Sequence, residues 1–382
     1  MRIDRATSFR GALLASVIAL ASFAACAQAQ TYDLRVIHRF IGAPNDGYNS
    51  AGGVRFDSAG NLYGSTRIGG TYNSGTIFKI ARDGTETIVY SFTGDTDGGG
   101  PDEVTIDPAT GDLYGTSYLD GEPCGQLYKL AADGVFTVLH VFDCPALGYG
   151  PNSPLLRDRQ GNLYGTVEYG GKDNKGIIFE YGADGRFTVL HTFTGPDGSN
   201  PMGGVVRDQA GNLYGVTLFG GADGGGTVYK LAPDGILTTL YTFTGGADGS
   251  LPATLIGDRS GNLYGTTIGG SVLTAFELAP DGTFTTLHTF IGTDGIPFNP
   301  LLPIAGNLYG TTTDGGDSHV GTVYRIAADG TFTVLHSFTL RDGISPVGHL
   351  ALKYGRLFGT TYFSFPNGSG AGTVFNLSEV KQ

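Results

Sequence analysis

One pentapeptide governs this chain of 382 residues. Its leucine falls at Leu62, Leu113, Leu163, Leu213, Leu263, Leu308 and Leu357, within GNLYG, GDLYG, four further GNLYG and a final GRLFG, at intervals of 51, 50, 50, 50, 45 and 49 residues. Self-similarity at a nearly fixed period means one supersecondary unit used repeatedly. Spacing this even leaves no insertion large enough for a second domain, so residues 30–382 read as a single domain of seven units.

Each unit divides into four short segments with turn residues between them. In the copy around Leu213 these are residues 204–208 (GVVRD), 213–217 (LYGVT), 227–231 (TVYKL) and 237–243 (LTTLYTF). Helical periodicity is absent. The composition agrees, because 65 Gly, 20 Tyr and 23 Phe with only 15% charged residues suit many short strands joined by many turns. Four strands per unit at this period predict an all-β, seven-bladed β-propeller with four antiparallel strands in each blade. A fourth-strand pattern stands before the first full unit, at 34–40 (LRVIHRF), and a third-strand pattern ends the last, at 373–377 (TVFNL). The N-terminal strand is therefore expected to pair with the C-terminal strand and close the ring, leaving only short, protected edges.

The order P-x-x-x-x-x-D-x-x-GN-LYGTT followed by GTVYKL-x-PDG-x-FTTLHTF resembles the GloVer repeat of secreted bacterial proteins, and more distantly the NHL repeat, over residues 33–380. The resemblance implies export and often surface attachment. It brings no established catalytic residues, and since NHL-like propellers include both enzymes and pure binding scaffolds, it informs fold rather than function.

Residues 1–29 read as a signal peptide: Arg2, Arg5 and Arg10 precede an apolar stretch at 11–25, and Ala27-Gln28-Ala29 forms a small-x-small cleavage site. Cleavage there starts the mature chain at Gln30, secreted or periplasmic. Cys26 loosely imitates a lipid-attachment site, but Phe23 is a poor first residue for one, so soluble export is preferred to a lipid anchor. No stretch is long and apolar enough for a transmembrane segment. Loss of the leader moves the formal charge from −12 to about −14, which disfavours nucleic acid and anionic membrane surfaces as partners. Cys124 and Cys144 flank a hairpin symmetrically about its AADG turn, so a disulfide is expected between them.

First-to-second and third-to-fourth connections (RDQAGN, APDG) are tight and lie on one face. The longer connections share the other, and the mouth of the central channel on that long-loop face is where a site is expected. Asp95, Asp97, Asp197, Asp248, Asp294 and Asp342 occupy comparable places in its loops. Such a ring of carboxylates suits Ca²⁺. Asp-Gly is equally a turn dipeptide whose Asp caps backbone amides, and no dense calcium-loop pattern accompanies it, so no resident metal or cofactor is expected. Glu103 and Glu168 are candidates because Glu is rare here and turns do not call for it.

Five histidines, His38, His140, His191, His288 and His336, share one fourth-strand position that Tyr90 and Tyr241 fill in the other copies. One per blade, they do not converge on a metal or nucleophile. His319 and His349 lie outside that pattern and are mouth candidates. Asp57, Asp107, Asp158, Asp208 and Asp258 precede the tight first turn and read as turn caps. The aromatic of each pentapeptide reads as inter-blade core, its following Gly making room for the neighbouring sheet.

No nucleophile elbow, zinc spacing, phosphate loop or dinucleotide fingerprint is present. The chain is thus read as an exported, non-catalytic, monomeric binding scaffold whose long-loop face takes a glycan, peptide or protein ligand. The alternative is an extracellular hydrolase or lyase with a carboxylate or cation site at the channel mouth. Three or more carboxylates or histidines converging in one concave pocket would favour the alternative.

Overall fold

The computed structural model describes residues 31–50, 52–119, 122–151, 153–364 and 370–380, so the expected signal peptide and Cys26 lie outside the described residues. Its strands form seven antiparallel sheets, one for each copy of the pentapeptide. Blades one to seven are numbered here by Leu62, Leu113, Leu163, Leu213, Leu263, Leu308 and Leu357. Ring closure is as expected: Tyr32–Arg39 pairs antiparallel with Thr373–Glu379, with Leu34 opposite Leu377, and supplies the fourth strand of blade seven.

The first strands are shorter than expected. In blade four only Val206–Arg207 pairs, against Tyr214 and Leu213, whereas blades five and seven carry long first strands at Ser250–Gly257 and Ile344–Lys353. Proline and glycine do not by themselves set this length, because the long strands contain Pro252, Pro346 and Gly348 and accommodate them at irregularities in register. One turn of helix, Cys144–Leu147, with proline at its start, departs from the expected absence of helix.

The core is made between blades. Each of seven apolar clusters joins two neighbours: Ile178 and Phe193 of blade three meet Leu213, Tyr229 and Leu231 of blade four, and Phe40 and Val374 of blade seven meet Leu62, Phe78 and Ile80 of blade one. The last of these shows that the ring shuts through packing as well as through strand pairing. The glycine after each pentapeptide aromatic has a different role from the one expected. A Cβ on Gly215 would lie 2.3 Å from Tyr229 Oη, so the space is filled by the third-strand ring of the same blade, opposite in register, and not by the neighbouring sheet.

Candidate functional site

On the outer part of the long-loop face the loop aspartates serve their own blades. A β-bulge just before the fourth-strand His or Tyr recurs in every blade. The residue after it reaches the loop: Tyr90 donates to Asp97 (2.9 Å), Tyr241 to Asp248 (3.1 Å), and His191, His288 and His336 bond Asp197 (2.8 Å), Asp294 (3.0 Å) and Asp342 (3.3 Å). The same carboxylates accept backbone amides of Thr93, Thr194, Thr244, Ile291 and Thr339. Each is a latch for one loop. Asp95 is exposed beside this turn. His319 sits exposed in a left-handed turn conformation (φ 56°), as Asn73 (φ 59°) and Asn174 (φ 53°) do in blades one and three.

Blade two departs from the rule. His140 stacks on Phe187 and its Nε2, buried, has no hydrogen-bond partner among the described residues; burial alone lowers its pKa. The loop beyond it is held instead by the Cys124–Cys144 disulfide, with the Cα atoms 5.2 Å apart.

At the axis the picture changes. A cavity of about 320 Å³ opens at the channel mouth, lined by residues of all seven blades, and it contains Glu103 and His349. Glu103 of blade two, nearly fully buried, accepts a hydrogen bond from Nδ1 of His349 of blade seven (2.8 Å) and from the Gly53 amide of blade one (3.3 Å), while its other oxygen lies 2.5 Å from the Arg55 guanidinium. Burial alone would raise the Glu103 carboxyl, yet Arg55, His349 and the Gly53 amide together hold it at about 2. An ionised Glu103 keeps the proton of a neutral His349 on Nδ1 and leaves Nε2 as the acceptor; among the described residues nothing bonds that Nε2. The close approach depends on Gly53, where a Cβ would stand 2.5 Å from the His349 amide nitrogen. Buried Asn299 of blade six fixes the segment that presents His349, donating to Pro346 O (2.8 Å) and accepting from the Gly348 amide (2.9 Å).

Asp102, adjacent in sequence to Glu103, is the second buried carboxylate. One oxygen takes the Arg67 guanidinium (2.8 Å); the other is buried without a hydrogen-bond partner among the described residues. Burial raises its pKa, the Arg67 charge opposes, the Glu103 charge adds, and the outcome is about 6. Glu168 is half-buried beside Tyr169, and does not line this cavity. Of the residues singled out from sequence, the structure therefore brings together Glu103 and His349 and leaves the loop aspartates, His319 and Glu168 apart from them.

Asp102, Arg67, Asn299 and Tyr362 were missed, although a signal existed. Five residues after each pentapeptide leucine the chain carries Arg67, Tyr118, Glu168, Leu218, Ile268, Thr313 and Tyr362. Just before the buried first-strand residue it carries Gly53, Glu103, Pro154, Gly204, Thr254, Pro300 and His349. Where the surrounding pattern is nearly invariant, these two columns change from copy to copy, and both contribute to the mouth.

A closed seven-bladed β-propeller with a charged, concave mouth on its long-loop face is the class that fold and site define. Two overlapping stretches, residues 24–209 and 183–375, match the Gloeobacter/Verrucomicrobia repeat, and the chain belongs to that repeat family. No curated protein matches it. Among solved structures, the chain is similar in fold to virginiamycin B lyase from Staphylococcus aureus, crystallised as a catalytically inactive variant with quinupristin (TM-score 0.64, 12% identity, 91% of this chain and 100% of that one). It is also similar to an extracellular domain from B. thetaiotaomicron (TM-score 0.61, 12% identity, 90% and 40%) and to puromycin hydrolase (TM-score 0.60, 14% identity, 87% and 52%). Identities this low establish shared architecture alone.

Proposed function

We propose that the protein is an exported binding propeller that takes an amphiphilic small molecule or peptide end into the channel mouth. The observation that carries this is the division of the cavity wall. Blades seven, one and two bring the charged and titratable groups His349, Arg67, Asp102 and Glu103, whereas blades three to six bring Pro154, Met202, Ala253, Phe298 and Pro300 with the uncharged polar Thr254 and Asn299. The volume suits a small ligand. A polar head would meet His349 Nε2 and the Asp102–Arg67 pair, and an apolar body would lie on the opposite wall. The disulfide fits the oxidising compartment that export implies.

The test is a thermal-shift screen of the mature chain against amphiphiles, short peptides and glycans, followed by titration calorimetry on the hits. His349→Ala and Glu103→Gln are expected to weaken binding about tenfold or more, while Asp248→Asn on the rim leaves it unchanged. Equal affinity in all three variants would rule the mouth out.

A second reading, a lyase or hydrolase, is favoured by the Glu103–His349 pair standing beside a carboxyl raised to about 6. Here His349 Nε2 takes the proton and Asp102, which holds its own proton above the ordinary carboxylate range, returns one. Turnover of a bound ligand that disappears in His349→Ala, with a pH profile altered in Asp102→Asn, separates this reading from passive binding. Binding without turnover leaves the first reading standing alone.

A further inference from the structure

Seven seams separate the blades, and six share one arrangement at the outer rim. Two residues beyond the tight-turn glycine the fourth strand opens with Phe136, Phe187, Leu237, Phe284 or Phe332, each paired with the last residue of its third strand, and Leu34, opposite Leu377, holds the equivalent place in the closing strand. Four of the rings stack on the previous blade's His or Tyr: Phe136 on Tyr90, Phe187 on His140, Phe284 on Tyr241 and Phe332 on His288, at 3.8 to 4.6 Å between centroids. At the seventh seam, where blade one meets the closing strand of blade seven, the same register position holds Glu86, opposite Ile80.

This exchange places a carboxylate against a histidine and an aspartate. One ring nitrogen of His38, one oxygen of Asp46 and one of Glu86 all lie within 4.8 Å of one another. His38 Nε2 is 3.2 Å from Asp46 Oδ2. Asp46 is buried and aimed by two amides, Gly47 on Oδ1 (2.6 Å) and Ile41 on Oδ2 (2.9 Å), which leaves lone pairs on both oxygens. Glu86 Oε1 is shielded from solvent and has no hydrogen-bond partner among the described residues. An apolar side chain at this position, as in every other blade, would leave no such unmatched oxygen.

We propose that His38, Asp46 and Glu86 form a site for a divalent transition-metal ion of the zinc type, which staples the N-terminal strand to blade one. One imidazole nitrogen and two carboxylates are the borderline donor set such ions take, with a water completing four-coordination. Metal–ligand bonds of about 2.0–2.2 Å set tetrahedral donor atoms roughly 3.4 Å apart, close to the His38–Asp46 separation, so only Glu86 has to draw in. Calcium is disfavoured, because it takes six to eight oxygens and the site offers a nitrogen among its three donors. The ion would tie the strand that shuts the ring to the blade that follows it in the chain. The site shares no residue with the cavity around Glu103 and His349.

The experiment uses untagged, chelator-treated mature protein, titrated with ZnCl₂, MnCl₂ and CaCl₂ and read by calorimetry and thermal melting. The wild type is expected to bind one equivalent of Zn²⁺, with a rise in Tm of about 4 °C at hundredfold excess over Kd, and to respond far less to Ca²⁺. Glu86→Phe restores the residue of the other seams, so it should fold normally and lose the zinc response, with Kd raised at least tenfold. His38→Tyr, which two other blades carry at that position, should do the same. Zinc binding that survives Glu86→Phe, or that is abolished by His349→Ala and not by Glu86→Phe, overturns the proposal, as does the absence of zinc binding by the wild type at micromolar concentration.

Discussion

The outer rim and the inner mouth of this propeller are built from the same seven repeats and obey opposite rules. On the rim, equivalent positions do equivalent work: in every blade but the second, His or Tyr on the fourth strand meets Asp in the following loop. At the mouth, equivalent positions hold Gly53, Glu103, Pro154, Gly204, Thr254, Pro300 and His349, and only some of them engage one another. In a tandem array, sameness between copies marks what the architecture needs everywhere. Difference at one column marks what is needed in one place, and the mouth is where such columns meet.

The sharpest way to break this contrast is to damage the rim and look for loss of stability without loss of site. Phe243→Ala empties a fully buried position among Phe276, Phe284 and Tyr241, and should cost about 3–5 kcal/mol by denaturant titration. Next comes the one loop held without an aspartate latch. Replacing both Cys124 and Cys144 by Ser releases a cross-link of sequence separation 20, beside a His140 that has no carboxylate to fall back on, and should cost about 3 kcal/mol. Reductant should lower the wild-type melting temperature and leave the double variant unmoved; two free thiols in the native protein would contradict the pairing.

The mouth should declare itself through pH. The Asp102 carboxyl holds its proton to about 6 in the folded chain, above its ordinary value, so its contribution to stability is complete below about pH 4 and is lost as pH rises through 6. Glu103 works the other way, contributing above its ordinary range and losing that contribution as pH falls toward 2. Asp102→Asn should therefore flatten the decline between pH 4 and 6, worth on the order of 2 kcal/mol, in melts recorded across that range. An unchanged slope would mean that Asp102 titrates normally. The smallest effect belongs to a single latch: Asp248→Ala removes bonds from Tyr241 and from the amide and hydroxyl of Thr244, and should cost about 1 kcal/mol with ligand affinity intact.

Much of the architecture could be read before any coordinates because a repeat carries its own alignment. Period, strand number and the pairing of residues 34–40 with 373–377 all follow from comparing copies, and the Cys124–Cys144 bond from the symmetric placement of the two cysteines about one hairpin turn. The turn-capping role of Asp208 and Asp258 likewise rests on local spacing, and each accepts the amide four residues ahead. The site was less legible, since Glu103 and His349 are 246 residues apart and meet across an intervening blade. Rarity drew attention to Glu103, and departure from the fourth-strand pattern to His349. Nothing in local sequence said that Asp97 turns outward to Tyr90 while Asp102, five residues on, faces the axis; that depends on how the loop folds back over the blade. Glu86 escaped notice for a related reason. The histidines were weighed against one another, and the carboxylate that approaches His38 comes from the next blade.

The strand Tyr32–Arg39, first of the described elements, finds its hydrogen-bond partner only in Thr373–Glu379, the last. A chain emerging from its N-terminus can stack blades in order, but the ring has no final shape until nearly all of it is available. Until then the earliest segment must wait unpaired. A cut placed between any two blades, with the present ends joined, should therefore yield the same wheel from a different starting spoke.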